Sequence, residues 1–568
     1  MLRGVGHVVF SAGVFSGGSS GGGAKRTSRA LAFTTAGVLG ISGATVAVLA
    51  GQQAASAGSA ESAASAGITW GSCTDQTLAT VGATCGFVTV PLDWSKPAGT
   101  KIKIRVSKVA AKGRTNQGVM LVNPGGPGGS GLVWPAILQD AVPHKVGQQY
   151  DWIGWDPRGV GESRPALSCN PDYFANPRPA YKPASAAKIT GTEYQWIKRT
   201  KAYVAACEKN GALLAHVKSI DTVRDMDAIR KALGKSQINY YGYSYGTFLG
   251  QAYATQYPTK IRRIVLDGNV SPNYPGYGDG GLRQMVGFEG VITEFFAWVA
   301  KYDRIYKLGS TGAEVRAAYE GELAKLTKEP RFGIGPAELT DVFLLAGYAE
   351  SRWTQVAAAF ADFREGDSTG VQILYQAAGE PGNDNSYAAF NSTLCTDGPF
   401  PKSYARVRKD AYRIAKTAPF LVWGSYWYSQ PCTYWTTPAG APLKIDGSKI
   451  KNMLLINAEK DGATPLQGAL DVRQEFPRSV LVKEVGATTH GGSLRGNRCL
   501  DDTVAAYLAD GTLPERLSGD RADKNCARGA WPAPSPLDRS LPKSTGGLLD
   551  QTSLVGALLD NLRMGSRN

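Results

Sequence analysis

The chain has 568 residues, of which 43% are hydrophobic and 19% charged, and a formal net charge of +15. These proportions are those of a globular protein and exclude general disorder, and the length accommodates one large core or two domains. A basic excess can favour nucleic acid or acidic surfaces. No Lys/Arg block is interleaved with aromatics, so the charge reads as solvated surface and no nucleic-acid partner is expected.

Residues 1–57 read as a leader. Lys25-Arg-Thr-Ser-Arg29 is a basic n-region, Ala30 to Ala50 is apolar and small, and Ala55-Ser-Ala57 offers a cleavage site, with Ala64-Ser-Ala66 as a second. The apolar run approaches spanning length, so a membrane anchor is the competing reading. Its Gly, Thr and Ala richness and its small-residue tail favour export with cleavage. The mature protein is therefore expected outside the cell, without stable membrane insertion. The eight cysteines, Cys73, Cys85, Cys169, Cys207, Cys395, Cys432, Cys499 and Cys526, agree with an oxidising compartment. None lies in a C-x-x-C pair, which argues against a zinc or redox centre, and no metal or cofactor is expected. Pairing in chain order would let each disulfide staple one loop.

Phe87 to Leu92 and Ile102 to Val109 read as opening strands, and Val119 to Asn123 as a third. The third ends in Pro124-Gly-Gly-Pro-Gly-Gly-Ser-Gly131, where a glycine-rich loop brings backbone N–H groups close to a ligand. A P-loop is the alternative, but its Lys and Ser/Thr are absent. Trp152 to Asp156 is a fourth strand, followed by Pro157-Arg-Gly-Val-Gly-Glu-Ser163. Asp156 and Arg158 read as loop braces held by a charge-assisted bond, with a catalytic role as the alternative. Asp221 to Leu233 is a helix with Asp221 as N-cap and Gly234 as its stop.

Next comes Ile238-Asn-Tyr-Tyr-Gly-Tyr-Ser-Tyr-Gly246: a buried strand, a Gly-x-Ser-x-Gly turn, and a helix from Thr247 to Tyr257. This is the context of a nucleophile elbow, with Ser244 as nucleophile at a helix N-terminus. The N–H groups of Tyr245 and Gly126, with Gly125 as the rival of the latter, would form an oxyanion hole. Ile261 to Asp267 is the following strand. Strand–helix alternation of this kind implies a mostly parallel sheet covered by helices on both faces.

From Ser271 to Lys444 the alternation stops. Helical stretches at Ala313 to Leu326, Leu339 to Phe363 and Ser403 to Lys416 read as an inserted cap over the sheet's C-terminal edge. Trp423, Tyr426, Trp427, Tyr428, Tyr434 and Trp435 are candidates to line a cleft there, or to pack a core. Strands resume at Met453 to Asn457 and Val480 to Lys483. The expected organisation is leader 1–57, core 70–270, cap 271–444, core 445–530, and a tail 531–568 whose Leu554 to Met564 is amphipathic and carries no assigned role.

A serine hydroxyl needs a base, and the base an acid to fix its tautomer. Of the four histidines, His7 lies in the leader, and His144 and His216 precede Ser244. Elbow-based sites run in the order Ser, Asp/Glu, His. His490, in a loop after the last predicted strand, is the base. Asp461, in a Gly-containing loop after the penultimate strand, is the candidate acid, with Asp267 and Glu459 as alternatives.

Together, Asn-Pro-Gly-Gly-Pro-Gly-Gly-Ser-Gly at 123–131, Asp-Pro-Arg-Gly-Val-Gly-Glu-Ser at 156–163, Gly-Tyr-Ser-Tyr-Gly at 242–246, Asp-Gly-Ala-Thr-Pro at 461–465 and His490 resemble the secreted α/β-hydrolase exopeptidases. Over residues 70–530 the chain is similar to the tripeptidyl aminopeptidase group, related to the prolyl iminopeptidases. The segment Cys499-Leu-Asp-Asp-Thr-Val-Ala-Ala-Tyr-Leu-Ala-Asp-Gly-Thr-Leu-Pro belongs to the same resemblance. Prolyl iminopeptidases carry His where this chain has Pro124, which sets it apart from strict single-proline release. The resemblance implies hydrolysis of short peptides, tripeptides among them, from the free N-termini of peptides or proteins. It also implies a cap carboxylate for the substrate ammonium, because a buried unpaired ammonium is costly; Asp397 and Glu350 are the candidates. A secreted carboxylesterase on the same triad is the alternative function, and a non-catalytic binding protein on this scaffold the third.

Overall fold

The computed structural model describes residues 67–274, 277, 279–379 and 382–534. The leader 1–57 and most of the tail lie outside the described residues. Among the described residues ten strands form one sheet: β1 (Gly71–Ser72), β2 (Thr84–Pro91), β3 (Lys101–Val109), β4 (Val119–Asn123) and β5 (Asp151–Trp155), then β6 (Ile238–Tyr243), β7 (Ile261–Asp267), β8 (Met453–Ala458), β9 (Ser479–Val485) and β10 (Lys524–Ala527). Their spatial order is β1-β2-β3-β5-β4-β6-β7-β8-β9-β10. The first three and β5 pair antiparallel, and every pairing from β5–β4 onward is parallel.

Alternating side chains bury both faces of the central strands. In β4, Val119 and Leu121 enter the core beneath the helices Ser219–Ala232 and Tyr245–Gln256. Met120 and Val122 enter the opposite core, against the helix Arg498–Asp510. Period-two alternation with apolar residues at every position is what a strand covered on both faces requires. That explains why β4 and β7 fall on the residues the sequence indicates.

The sheet also fixes where a site can form. β4 leads to β5 on one side, whereas β6 lies on its other side and leads on to β7. The order in which successive strands are laid down thus reverses between the parallel neighbours β4 and β6, and the crevice at such strands' C-terminal ends is the usual binding position. The glycine loop and Ser244 follow those two ends.

Between β7 and β8 the described residues add no strand to the sheet. Helices including Asp279–Lys301, Gly312–Lys328 and Trp353–Arg364 gather around Phe295, Trp298, Phe343 and Trp353. Two expectations need correction. The stretch 339–363 is two helices, Pro336–Tyr348 and Trp353–Arg364, broken at Ala349–Arg352. The excursion between β5 and β6 also joins the cap side, where Trp196 and Tyr203 pack with Tyr387 and Trp427. Disulfides Cys73–Cys85, Cys169–Cys207, Cys395–Cys432 and Cys499–Cys526 follow chain order.

Candidate active site

Ser244 sits at φ 55° and ψ −129°, outside the regions a non-glycine residue normally adopts, between β6 and the helix Tyr245–Gln256. Holding that conformation costs roughly 1–3 kcal/mol, so the neighbours must enforce it. They do so by close packing. A Cβ on Gly242 would lie 2.6 Å from the Gly246 carbonyl oxygen, and one on Gly246 would lie 2.5 Å from that of Asn123. The Thr247 N–H donates to the Ser244 carbonyl at 2.8 Å, closing the first turn.

The glycine loop lies against this elbow. A Cβ on Gly125 would come within 2.8 Å of Ser244 Cβ. The Gly125 N–H already donates to Asn123 Oδ1 at 2.9 Å, whereas Gly126, at φ 113°, lines the cavity beside Ser244. Between the two rivals this favours Gly126. Tyr245 opens a helix, so its N–H has no intrahelical acceptor.

Asp156 braces the same loop. Ser130 Oγ donates to Asp156 Oδ1 at 2.5 Å and the Glu162 N–H to Oδ2 at 2.7 Å. Complete burial pushes the Asp156 carboxyl up to about 7. Arg158 does not pair with Asp156. Its guanidinium is bidentate to the buried Asp225, at 2.7 and 2.6 Å, and so ties this loop to the helix Ser219–Ala232.

His490 and Asp461 meet on the other side. His490 Nδ1 lies 2.8 Å from Asp461 Oδ2 and 3.1 Å from Oδ1, and both residues are buried. Asp461 Oδ1 accepts the N–H groups of Ala463 and Thr464 at 2.9 Å each, and Thr464 Oγ1 donates to Oδ2 at 2.9 Å. The imidazole is clamped. The His490 backbone N–H donates to the Tyr348 carbonyl at 2.9 Å, the Tyr348 ring stands edge-on to the imidazole at 5.8 Å, and a Cβ on Gly268 would come within 2.9 Å of Cε1. Nε2 has no hydrogen-bond partner among the described residues, and His490 lines the same cavity as Ser244.

Asp267 and Glu459 are engaged elsewhere. Asp267 Oδ2 accepts the Ser493 N–H at 2.8 Å and its Oγ at 2.5 Å, which steadies the loop behind His490. Glu459 pairs with Lys483 at 2.5 Å.

The cavity, about 1370 Å³, is walled by both core and cap. Tyr426 and Tyr428 line it, whereas Trp423, Trp427 and Trp435 pack into the cap interior. The two expected ammonium-binding carboxylates are differently placed. Asp397 is not on the cavity wall: Oδ1 accepts the Ser219 N–H at 2.7 Å and Oδ2 its hydroxyl, so it caps the helix Ser219–Ala232. Asp221 sits instead in that helix's first turn, paired with Arg224. Glu350 lines the cavity, but Oε1 accepts Thr488 N–H and Oγ1 and Oε2 pairs with Arg528 at 3.1 Å. Sequence reasoning missed Thr464, Tyr348 and Gly268 at His490. The closeness of Thr464 to Asp461 in the chain was the one available signal.

A family model described as the alpha/beta hydrolase fold matches residues 118–494, and the chain belongs to that family. It is a serine hydrolase. Over 485 residues it is 36% identical to the tripeptidyl aminopeptidase of Streptomyces lividans, which covers 83% of this chain and 88% of that protein. It is 30% identical over 461 residues to serine protease Hip1 of Mycobacterium tuberculosis, covering 76% and 86%. It is also 32% identical over 470 residues to carboxylesterase B of the same organism, covering 78% and 88%.

Proposed function

We propose that this chain is a secreted serine exopeptidase that releases tripeptides from free N-termini through Ser244, His490 and Asp461. The observation that carries the proposal is the clamped imidazole. Its Nδ1 is held by Asp461 and its Nε2 is left open on the cavity that Ser244 lines. Nδ1 keeps its hydrogen against the carboxylate, so Nε2 is the lone pair that takes the Ser244 proton. Ser244 Oγ attacks the scissile carbonyl, and the N–H groups of Gly126 and Tyr245 stabilise the oxyanion. His490 returns the proton to the leaving amine, and water then cleaves the acyl ester by the reverse sequence.

The name of the Streptomyces relative and the cap-walled cavity support a short peptide as substrate. Four disulfides support an oxidising compartment, and none of the described helices is long and apolar enough to cross a membrane. The leader read at residues 1–57 supports export. The carboxylesterase relative keeps one second reading open, hydrolysis of neutral esters on the same residues.

The test is a fluorophosphonate label. One mole per mole should attach to Ser244, and Ser244→Ala should take none while losing turnover of a tripeptide anilide. Labelling elsewhere, or full turnover by that variant, refutes the assignment.

A further inference from the structure

The helix Pro336–Tyr348 runs along the cavity wall. Asp341, Leu345 and Tyr348, spaced i, i+4 and i+7, all line the cavity, so one face of this helix forms the wall. Its C-terminal end is fixed at the catalytic histidine by the Tyr348 carbonyl and ring. Asp341 lies seven residues upstream, which at 1.5 Å per residue is roughly 10 Å along the helix axis. An extended peptide needs about the same roughly 10 Å from its third carbonyl carbon back to its first nitrogen.

The charge at that distance is unbalanced. Arg178, fully buried, lies between two carboxylates: its Nε meets Glu338 Oε1 at 2.8 Å and its Nη2 meets Asp341 Oδ2 at 2.6 Å. Glu338 is sealed by the N–H groups of Gly335 and Arg178, whereas the Asp341 side chain keeps 19% of its surface exposed. Tyr181 donates to Asp341 Oδ1 at 3.0 Å and brings no charge. Arg199, the next cation, donates to the carbonyls of Tyr173 and Ala175. Two carboxylates against one guanidinium leave this part of the cavity wall an excess of negative charge, where desolvation makes an uncompensated charge costly.

A second, independent feature lies on the wall of the same cavity. Ser386, only 5% exposed, lines the same cavity beside Gly128, and its Oγ has no hydrogen-bond partner among the described residues. Buried hydroxyls are normally satisfied, so an orphan on a cavity wall points to a polar group supplied by a ligand. A peptide backbone running from Ser244 to Asp341 supplies such groups.

We infer that Asp341 receives the substrate's N-terminal ammonium and that the span from Tyr348 to Asp341 sets the released length at three residues, with Ser386 bonded to the intervening backbone. This rests on the exopeptidase reading above and assigns its length specificity to particular residues. A shorter peptide fails to bring its ammonium to Asp341. A longer one must bury its ammonium unpaired or buckle.

The experiment compares di-, tri- and tetrapeptide anilides with free amines, and an N-acetylated tripeptide anilide, on wild type, Asp341→Asn and Asp341→Glu. Active enzyme is counted by fluorophosphonate titration, so misfolded protein does not enter the rates. Wild type should favour the free-amine tripeptide. Asp341→Asn should lose roughly 30-fold or more in kcat/KM on it, mainly through KM, and its preferences for three residues and for a free amine should collapse. Asp341→Glu, which retains the charge, should retain the free-amine preference. Wild-type preferences in titrated Asp341→Asn overturn the inference and leave the exopeptidase reading standing. Indifference of wild type to acetylation overturns that reading itself.

Discussion

Replacing Asp461 by Asn tests the acid directly. Asn Oδ1 can still accept the N–H groups of Ala463 and Thr464, which the carboxylate accepts at 2.9 Å each, so the loop should keep its shape. The other side then becomes an NH₂ group facing His490 Nδ1, where Oδ2 stood at 2.8 Å. Two donors cannot share that contact. The imidazole answers by moving its hydrogen to Nε2, and Nε2 can then no longer take the Ser244 proton. The expected loss in kcat is about 10⁴-fold, the size known for the same change in a serine protease triad, or ~5.4 kcal/mol of barrier at 1.36 kcal/mol per decade. Asp267→Asn is the control, because it retains an acceptor for the Ser493 N–H and loses only the charge behind the loop. It should cost about tenfold, through misplacement of His490. The assay is kcat on a free-amine tripeptide anilide, normalised by fluorophosphonate titration. The reverse order, with Asp267→Asn the crippled variant, would falsify the assignment of the acid.

Three further changes follow from the same geometry. Burial pushes the Asp397 carboxyl up from 3.8 to about 7, so the folded state holds its proton more tightly than the unfolded chain does. Its contribution to stability therefore falls as pH rises from about 4 through about 7, by up to about 4 kcal/mol. Asp397→Asn should remove that slope and raise Tm at pH 8 relative to wild type, which thermal melts at pH 5 and pH 8 would check. Gly268→Ala places a methyl 2.9 Å from His490 Cε1 at a φ of +69°, and should lower kcat about 10- to 100-fold with only a small loss in Tm. Opening Cys169–Cys207, which closes a separation of 38 residues, as the double serine variant should cost about 3–4 kcal/mol in urea melts. A cost under about 1 kcal/mol would mean that the loop is already ordered in the unfolded chain.

The parts of the fold that were legible in the chain are those where local pattern and tertiary burial agree. β4 is apolar because both faces are covered, and the Gly-x-Ser-x-Gly turn carries its own steric reason. The short edge strands β1 and β10 have no such pattern, since little of either is buried. The break at Ala349–Arg352 was hidden because no Pro or helix-stopping Gly marks it: what stops the helix is its docking to the 488–490 loop. The meeting of Asp461 with His490 was readable from chain order and loop position. The partners of Asp397, Glu350 and Arg158 were not, because Ser219, Arg528 and Asp225 lie far from them in the chain. The pairing of Asp341 with Arg178 was hidden for the same reason, since the two lie 163 residues apart.

The most direct measurement of the central claim compares a free-amine tripeptide anilide with its N-acetylated twin on the mature enzyme, with Ser244→Ala as the blank. Turnover should require Ser244 and fall sharply on acetylation. Equal rates on the two substrates, or turnover only of a neutral activated ester, would contradict the exopeptidase reading and leave an esterase working with the same three residues.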